Sequence, residues 1–73
     1  WYRRGLSLGH LGQNEASIAS YDRAIQINPN FYPAWYSRGA ALSHLGNYKD
    51  AVASYDQALS IRPNFPDALS RRK

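Results

Sequence analysis

The chain has 73 residues, of which 44% are hydrophobic, 14% aromatic and 19% charged, with a formal net charge of +4 and no cysteine. That length allows one small domain in which a single compact core would be marginal. The missing cysteine excludes disulfides, thiolate metal sites and cysteine nucleophiles. The positive charge favours acidic over basic partners only weakly and is too small to argue for nucleic acid.

Trp1 to Leu11 has apolar residues at positions 1, 2, 6, 8 and 11, a helical rather than an alternating pattern. Gly12 is placed to end that helix in the left-handed conformation. Glu15 to Ile27 is a second helical run, with Ala16, Ile18, Ala19, Tyr21, Ala24 and Ile25. It stops at Asn28, which Pro29 pushes out of the helical region. Asn30 to Pro33 connects, with Pro33 suited to the first turn of the next helix. The cycle then runs again. A helix is expected from about Pro33 to Leu45, a turn at Gly46 and Asn47, a helix from about Tyr48 to Ile61, and a break at Arg62 and Pro63. Pro66 opens a third copy that ends within one or two turns. No stretch alternates with period two, so no strand is expected. No apolar run approaches the roughly 18 residues of a membrane span. The start shows no signal-like pattern. The chain opens on Trp1 in mid-motif and contains no methionine, which reads as a piece of a longer protein and leaves the compartment open.

The second cycle is the first shifted by thirty-four residues, and nineteen of the thirty-nine pairs related by that shift are identical. A fixed period of this size marks a repeat architecture. The unit resembles the tetratricopeptide repeat, on Trp1 and Trp35, Gly5 and Gly39, Leu8 and Leu42, Ser17 and Ala51, Tyr21 and Tyr55, Ala24 and Ala58, and Pro29 and Pro63. Repeats that read RNA favour thirty-five residues, whereas this chain keeps thirty-four. The resemblance implies an all-α solenoid of antiparallel helix-turn-helix units in a right-handed superhelix. The expected division is a first repeat at 1–31, a second at 32–65, and the start of a third repeat or capping helix at 66–73.

Each recurring residue has a physical task. Gly5 and Gly39 let paired helices approach closely, and Ser17 and Ala51 are small for the same reason. Trp1, Tyr21, Trp35 and Tyr55 are expected to fill the space around that contact. Mid-helix glycine costs roughly 1 kcal/mol relative to alanine, so it needs such a reason. Asn14 stands where the second unit has Tyr48, so the first unit is expected to pack less well at its turn. Arg4, Arg38 and Arg72 hold a position that the family usually gives to leucine. Their stems are expected to cover apolar surface with the guanidinium at an edge.

No catalytic grouping emerges. His10 and His44 are repeat equivalents on successive first helices. Packed helices lie about 8–10 Å apart, whereas both nitrogens must come within about 2.1 Å of a shared zinc. A histidine at the end of each first helix also suits the helix dipole. The serines lack a nucleophile-elbow pattern. Asp22 and Asp56 are repeat equivalents rather than a converging pair. Gly5, Gly9 and Gly12 do not follow a strand, so they form no phosphate loop. Neither a metal nor another cofactor is expected, and the chain is read as non-enzymatic.

The resemblance places any specificity on the concave face lined by first helices. Its positions here are Tyr2, Arg3, Leu6, Gly9 and His10, then Tyr36, Ser37, Ala40, Ser43 and His44, then Asp67, Ser70 and Arg71. Tyr2 and Tyr36 either form an aromatic ladder on that face or pack on their own repeats and only edge it. The lysine and asparagine that clamp acidic chaperone tails in some members are missing, since Tyr2 and Leu6 stand there. The asparagine ladder of the sugar-transferase type is missing too, its positions holding Arg3, Ser37 and Arg71. Arg3, Arg4, Arg38, Arg71, Arg72 and Lys73 make the inner layer basic, against an outer layer that is slightly acidic. The first expectation is a module that holds a peptide or helix of a protein partner, an acidic one included, in this groove. The alternatives are nucleic-acid or acidic-ligand binding through the basic layer, or a scaffold within a larger enzyme. Both ends are expected to expose apolar surface, around Trp1 and around Tyr55, Leu59 and Leu69, and to favour self-association.

Overall fold

The computed structural model describes residues 1–62. The third copy from Pro66 onward, including Asp67, Leu69, Ser70, Arg71 and Arg72, lies outside the described residues. Four helices follow one another: α1 (Tyr2–His10), α2 (Asn14–Ile27), α3 (Tyr32–His44) and α4 (Tyr48–Ile61). There is no strand among the described residues. None of these helices is long and apolar enough to cross a membrane.

The helix ends follow from the punctuation in the sequence. Gly12 and Gly46 take φ of 80° and 82°, the left-handed region open to glycine. At the first turn the Gln13 amide donates to the Leu8 carbonyl and the Gly12 amide to the Gly9 carbonyl. The Asn47 and Gly46 amides repeat this pattern on Leu42 and Ser43. Carbonyls that the helix leaves unpaired are thereby satisfied. The longer helices end at Asn28 (φ −138°, ψ 89°) and Arg62 (φ −134°, ψ 91°), each immediately before a proline. Proline excludes its predecessor from the helical region, so the chain must turn there. Pro33 lies in the first turn of α3, as expected.

Each helix packs chiefly on its neighbour in sequence: α1 on α2, α2 on α3, α3 on α4. Short links enforce antiparallel neighbours. Within each hairpin, a glycine meets a tyrosine. A Cβ built on Gly5 would lie 2.5 Å from Tyr21 Cε1, and one on Gly39 would lie 2.7 Å from Tyr55 Cε1. Tyr21 and Tyr55 are almost wholly buried beneath these glycines. The tyrosine half of the packing expectation therefore holds. The Trp1 half does not, because Trp1 is half exposed. The small residues face the same contact. Ser17 is buried and its hydroxyl donates to the Gly5 carbonyl at 2.7 Å. Ala51 is buried against Gly39.

Two further expectations need correction. Tyr48 is 65% exposed, so the first unit loses no packing by having Asn14 there; Asn14 is in fact the more covered of the two. Tyr55 does not contribute to an exposed apolar end, because Ala51, Leu42 and the Tyr36 ring enclose it.

Candidate functional site: the groove between α1 and α3

The first helices α1 and α3 touch little, and α2 lies against both. A depression of about 210 Å³ opens between them. Helical spacing determines which side chains reach it. Leu6, Gly9 and His10 recur at three- and four-residue intervals on one face of α1. Ser37, Ala40, Ala41 and His44 do the same on α3. Asn14, Ser17 and Tyr21 rise from α2 to form the floor.

Five of the expected site residues therefore meet here: Leu6, His10, Ser37, Ala40 and His44. Gly9 joins them, and a Cβ built on it would lie 3.4 Å from Ser17 Oγ. Tyr2 and Tyr36 are not in the lining. The Tyr2 ring lies 6.0 Å from Tyr21 and 5.2 Å, edge-on, from Phe31. The Tyr36 ring lies 5.4 Å from Tyr55. Both rings are half-buried and pack within the scaffold. Arg3 is exposed on α1 outside the depression, and Ser43 is half-buried on α3 outside it. Arg71 lies outside the described residues.

Sequence reasoning missed the floor. The repeat pattern marks Ser17 and Tyr21 as packing residues, yet they also line the groove. Asn14 carries a signal of its own, as the polar departure from Tyr48, and the structure places it in the groove lining.

The groove's electrostatics differ from the expected basic inner layer. Among the described residues its lining contains no arginine, lysine, aspartate or glutamate. Arg4 and Arg38 lie two positions away from Leu6 and Ala40, about 200° round their helices, and so leave on the other side. Arg38 Nε donates to Asp22 Oδ1 of α2 at 2.7 Å, and Arg38 Nη1 donates to Ser54 Oγ of α4 at 2.7 Å. The guanidinium thus ties three helices together rather than resting at an edge over apolar surface. Arg4 lies over the Trp1 ring, 5.5 Å from its centroid. What remains in the groove is a polar set of imidazole, hydroxyl and amide, next to Leu6 and two alanines. Its volume is below the roughly 300–1,000 Å³ of small-molecule pockets, and it is open on one side. Such a surface can accept side chains or backbone of a macromolecular segment by hydrogen bonding and shallow apolar contact.

A family model described as tetratricopeptide repeat matches residues 32–65, and one described as TPR repeat matches residues 5–46. The chain belongs to the tetratricopeptide repeat family. The four antiparallel helices, with glycine under tyrosine in each hairpin, agree with that membership. Tetratricopeptide repeats are generally protein–protein interaction modules and are typically non-catalytic. No curated protein matches the chain.

Proposed function

We propose that this tetratricopeptide chain holds a segment of a protein partner in the groove between α1 and α3 and catalyses no reaction there. One observation carries the reading: side chains from two successive first helices, Leu6 and His10 with Ser37, Ala40 and His44, converge on a single depression. Each imidazole offers a hydrogen-bond donor and an acceptor, and Ser37 adds a hydroxyl. Leu6 and Ala40 supply apolar contact between these polar points. An extended segment with neutral polar and small apolar side chains suits this lining better than an acidic one, because no arginine or lysine of the described residues stands in it. The same feature weakens nucleic-acid binding as an alternative. That mode needs cations along the groove, and Arg38 is engaged with Asp22 and Ser54.

Titration of the isotope-labelled chain with a panel of neutral, acidic and apolar peptides, followed by amide chemical shifts, tests the proposal. The expected result is movement at Leu6, Ser37, Ala40 and His44, greatest with neutral polar peptides. Shifts that avoid all four residues with every peptide would remove it.

A further inference from the structure

We propose that the depression holds a subsite for a side-chain carboxamide, an asparagine or glutamine of the partner segment, seated over Gly9 against Tyr21 and Ser17. Its use by a partner rests on the groove function proposed for α1 and α3.

Tyr21 is 3% exposed, yet it lines the depression. Its hydroxyl has no hydrogen-bond partner among the described residues. A buried phenol normally finds one. The second hairpin differs here, because the Tyr55 hydroxyl, the repeat equivalent, is wholly enclosed. The first-helix residue at this level is Gly9 in the first hairpin and Ser43 in the second. A Cβ built on Gly9 would lie 4.0 Å from Tyr21 Oη and 3.4 Å from Ser17 Oγ. The missing side chain leaves a way from the depression to both oxygens. Ser17 and Tyr21 are four residues apart and share a face of α2.

The protons on these oxygens select the occupant. Ser17 donates its one hydroxyl proton to the Gly5 carbonyl at 2.7 Å, so toward the groove it can only accept. The Tyr21 hydroxyl has an uncommitted proton and can donate. A group that fits both must accept at one atom and donate at the next. A carboxamide does so, with its oxygen on Tyr21 and its NH₂ on Ser17. Asn14 lines the same depression and offers a further amide. A carboxylate has no proton for Ser17, and no arginine or lysine of the described residues lines the depression to balance its charge. An aliphatic side chain would cover both oxygens and leave them without partners. An ammonium has no acceptor for the Tyr21 proton.

The probes are serine–alanine peptides that differ at one central residue, asparagine, aspartate or leucine, and the free groups acetamide and acetate, each added to the isotope-labelled full chain. The asparagine peptide should bind about tenfold more tightly than either of the others, the scale of two hydrogen bonds between neutral groups. Acetamide, and not acetate, should move the Gly9 amide and the Tyr21 ring. Tyr21→Phe removes a hydroxyl that the fold does not use. Its melting temperature should therefore hold while the preference for asparagine drops to about twofold. Gly9→Ala puts a methyl group where the approach runs, and should abolish the preference. Its melting temperature should not fall, because the nearest atom stands at ordinary contact distance and alanine suits a helix better than glycine. Equal binding of all the peptides, an asparagine preference that survives either substitution, or acetate acting as acetamide does would each overturn the subsite. Groove binding is read at Leu6, Ser37, Ala40 and His44. Peptides that move those residues without distinguishing asparagine remove the subsite and leave the groove. Acetamide shifts with no peptide bound leave the subsite and remove the groove as a partner site. Silence toward every probe removes both.

Discussion

Gly39 and Tyr55 show how one missing carbon atom determines a helix pairing. A Cβ at Gly39 would come within 2.7 and 2.8 Å of two Tyr55 ring atoms and 3.1 Å of the Ala51 carbonyl. The ring cannot retreat, since Tyr55 is 2% exposed, and the carbonyl belongs to α4 itself. Helix propensity alone would make Gly39→Ala stabilising by roughly 1 kcal/mol. Overpacking of a tight core costs about 1–3 kcal/mol. The steric term wins, so Gly39→Ala should lower the melting temperature by several degrees, on the scale of about 4–8 °C per kcal/mol for so small a domain. Gly39→Val, with two further methyl groups, should leave the chain unfolded at room temperature. A rise in melting temperature for the alanine variant would refute the packing account. The glycine's role was legible in the sequence because glycine in mid-helix demands a reason, and its repetition at Gly5 named the reason as structural. The exposure of Trp1 was not legible. A tryptophan at a repeat position reads as core, and only the neighbouring helices determine whether anything covers it.

At the scale of the helix, the Arg38 clasp joins hairpins that are otherwise held by apolar contact. Arg38 is 27% and Asp22 47% exposed in their side chains, so solvent screens the pair in part. Its contribution is expected to be about 1 kcal/mol, ion pair and serine bond together. Arg38→Leu keeps an apolar stem and removes the charge. It should lower stability by about that amount and leave the Ser54 hydroxyl without its donor. Adding Ser54→Ala should recover part of the loss, because removing both partners costs less than orphaning one. Chemical denaturation of the two single variants and the double variant measures this coupling. Strict additivity would show that Arg38 and Ser54 do not act together. At about 1 M salt, where the screening length falls to about 3 Å, the gap between wild type and Arg38→Leu should narrow toward the share that belongs to the Ser54 hydrogen bond. The helix bounds were legible almost to the residue, since Gly12, Gly46, Pro29 and Pro33 act locally. The clasp was not. The period presents Asp22 and Asp56 as equivalents, and only the stacking of α2 on α3 turns Asp22 into a partner of Arg38.

For the molecule as a whole, stacking divides the side chains of the first helices between two opposite surfaces. The sequence showed which residues vary between units, and these fell on the groove side in the cases of Leu6, Ser37 and Ala40. It could not show the floor, because Asn14, Ser17 and Tyr21 reach the groove only once α2 folds back beneath α1. Ala40 gives the sharpest test of whether this depression is where a partner binds. It is half-buried on α3 and lines the groove. Alanine and leucine differ little in helix propensity, so Ala40→Leu should fold with a melting temperature within a few degrees of wild type. The added isobutyl group would occupy much of a 210 Å³ depression. Any peptide that shifts Ser37 and His44 in the wild type should therefore bind the variant at least tenfold more weakly. His44→Ala, at the exposed end of the same helix, should cost less, because it removes one hydrogen-bonding group and leaves the space open. Equal affinity of Ala40→Leu and wild type, with the fold intact, would place the partner on another face. A loss confined to His44→Ala would mean that the imidazole is recognised at the helix end without the groove being filled.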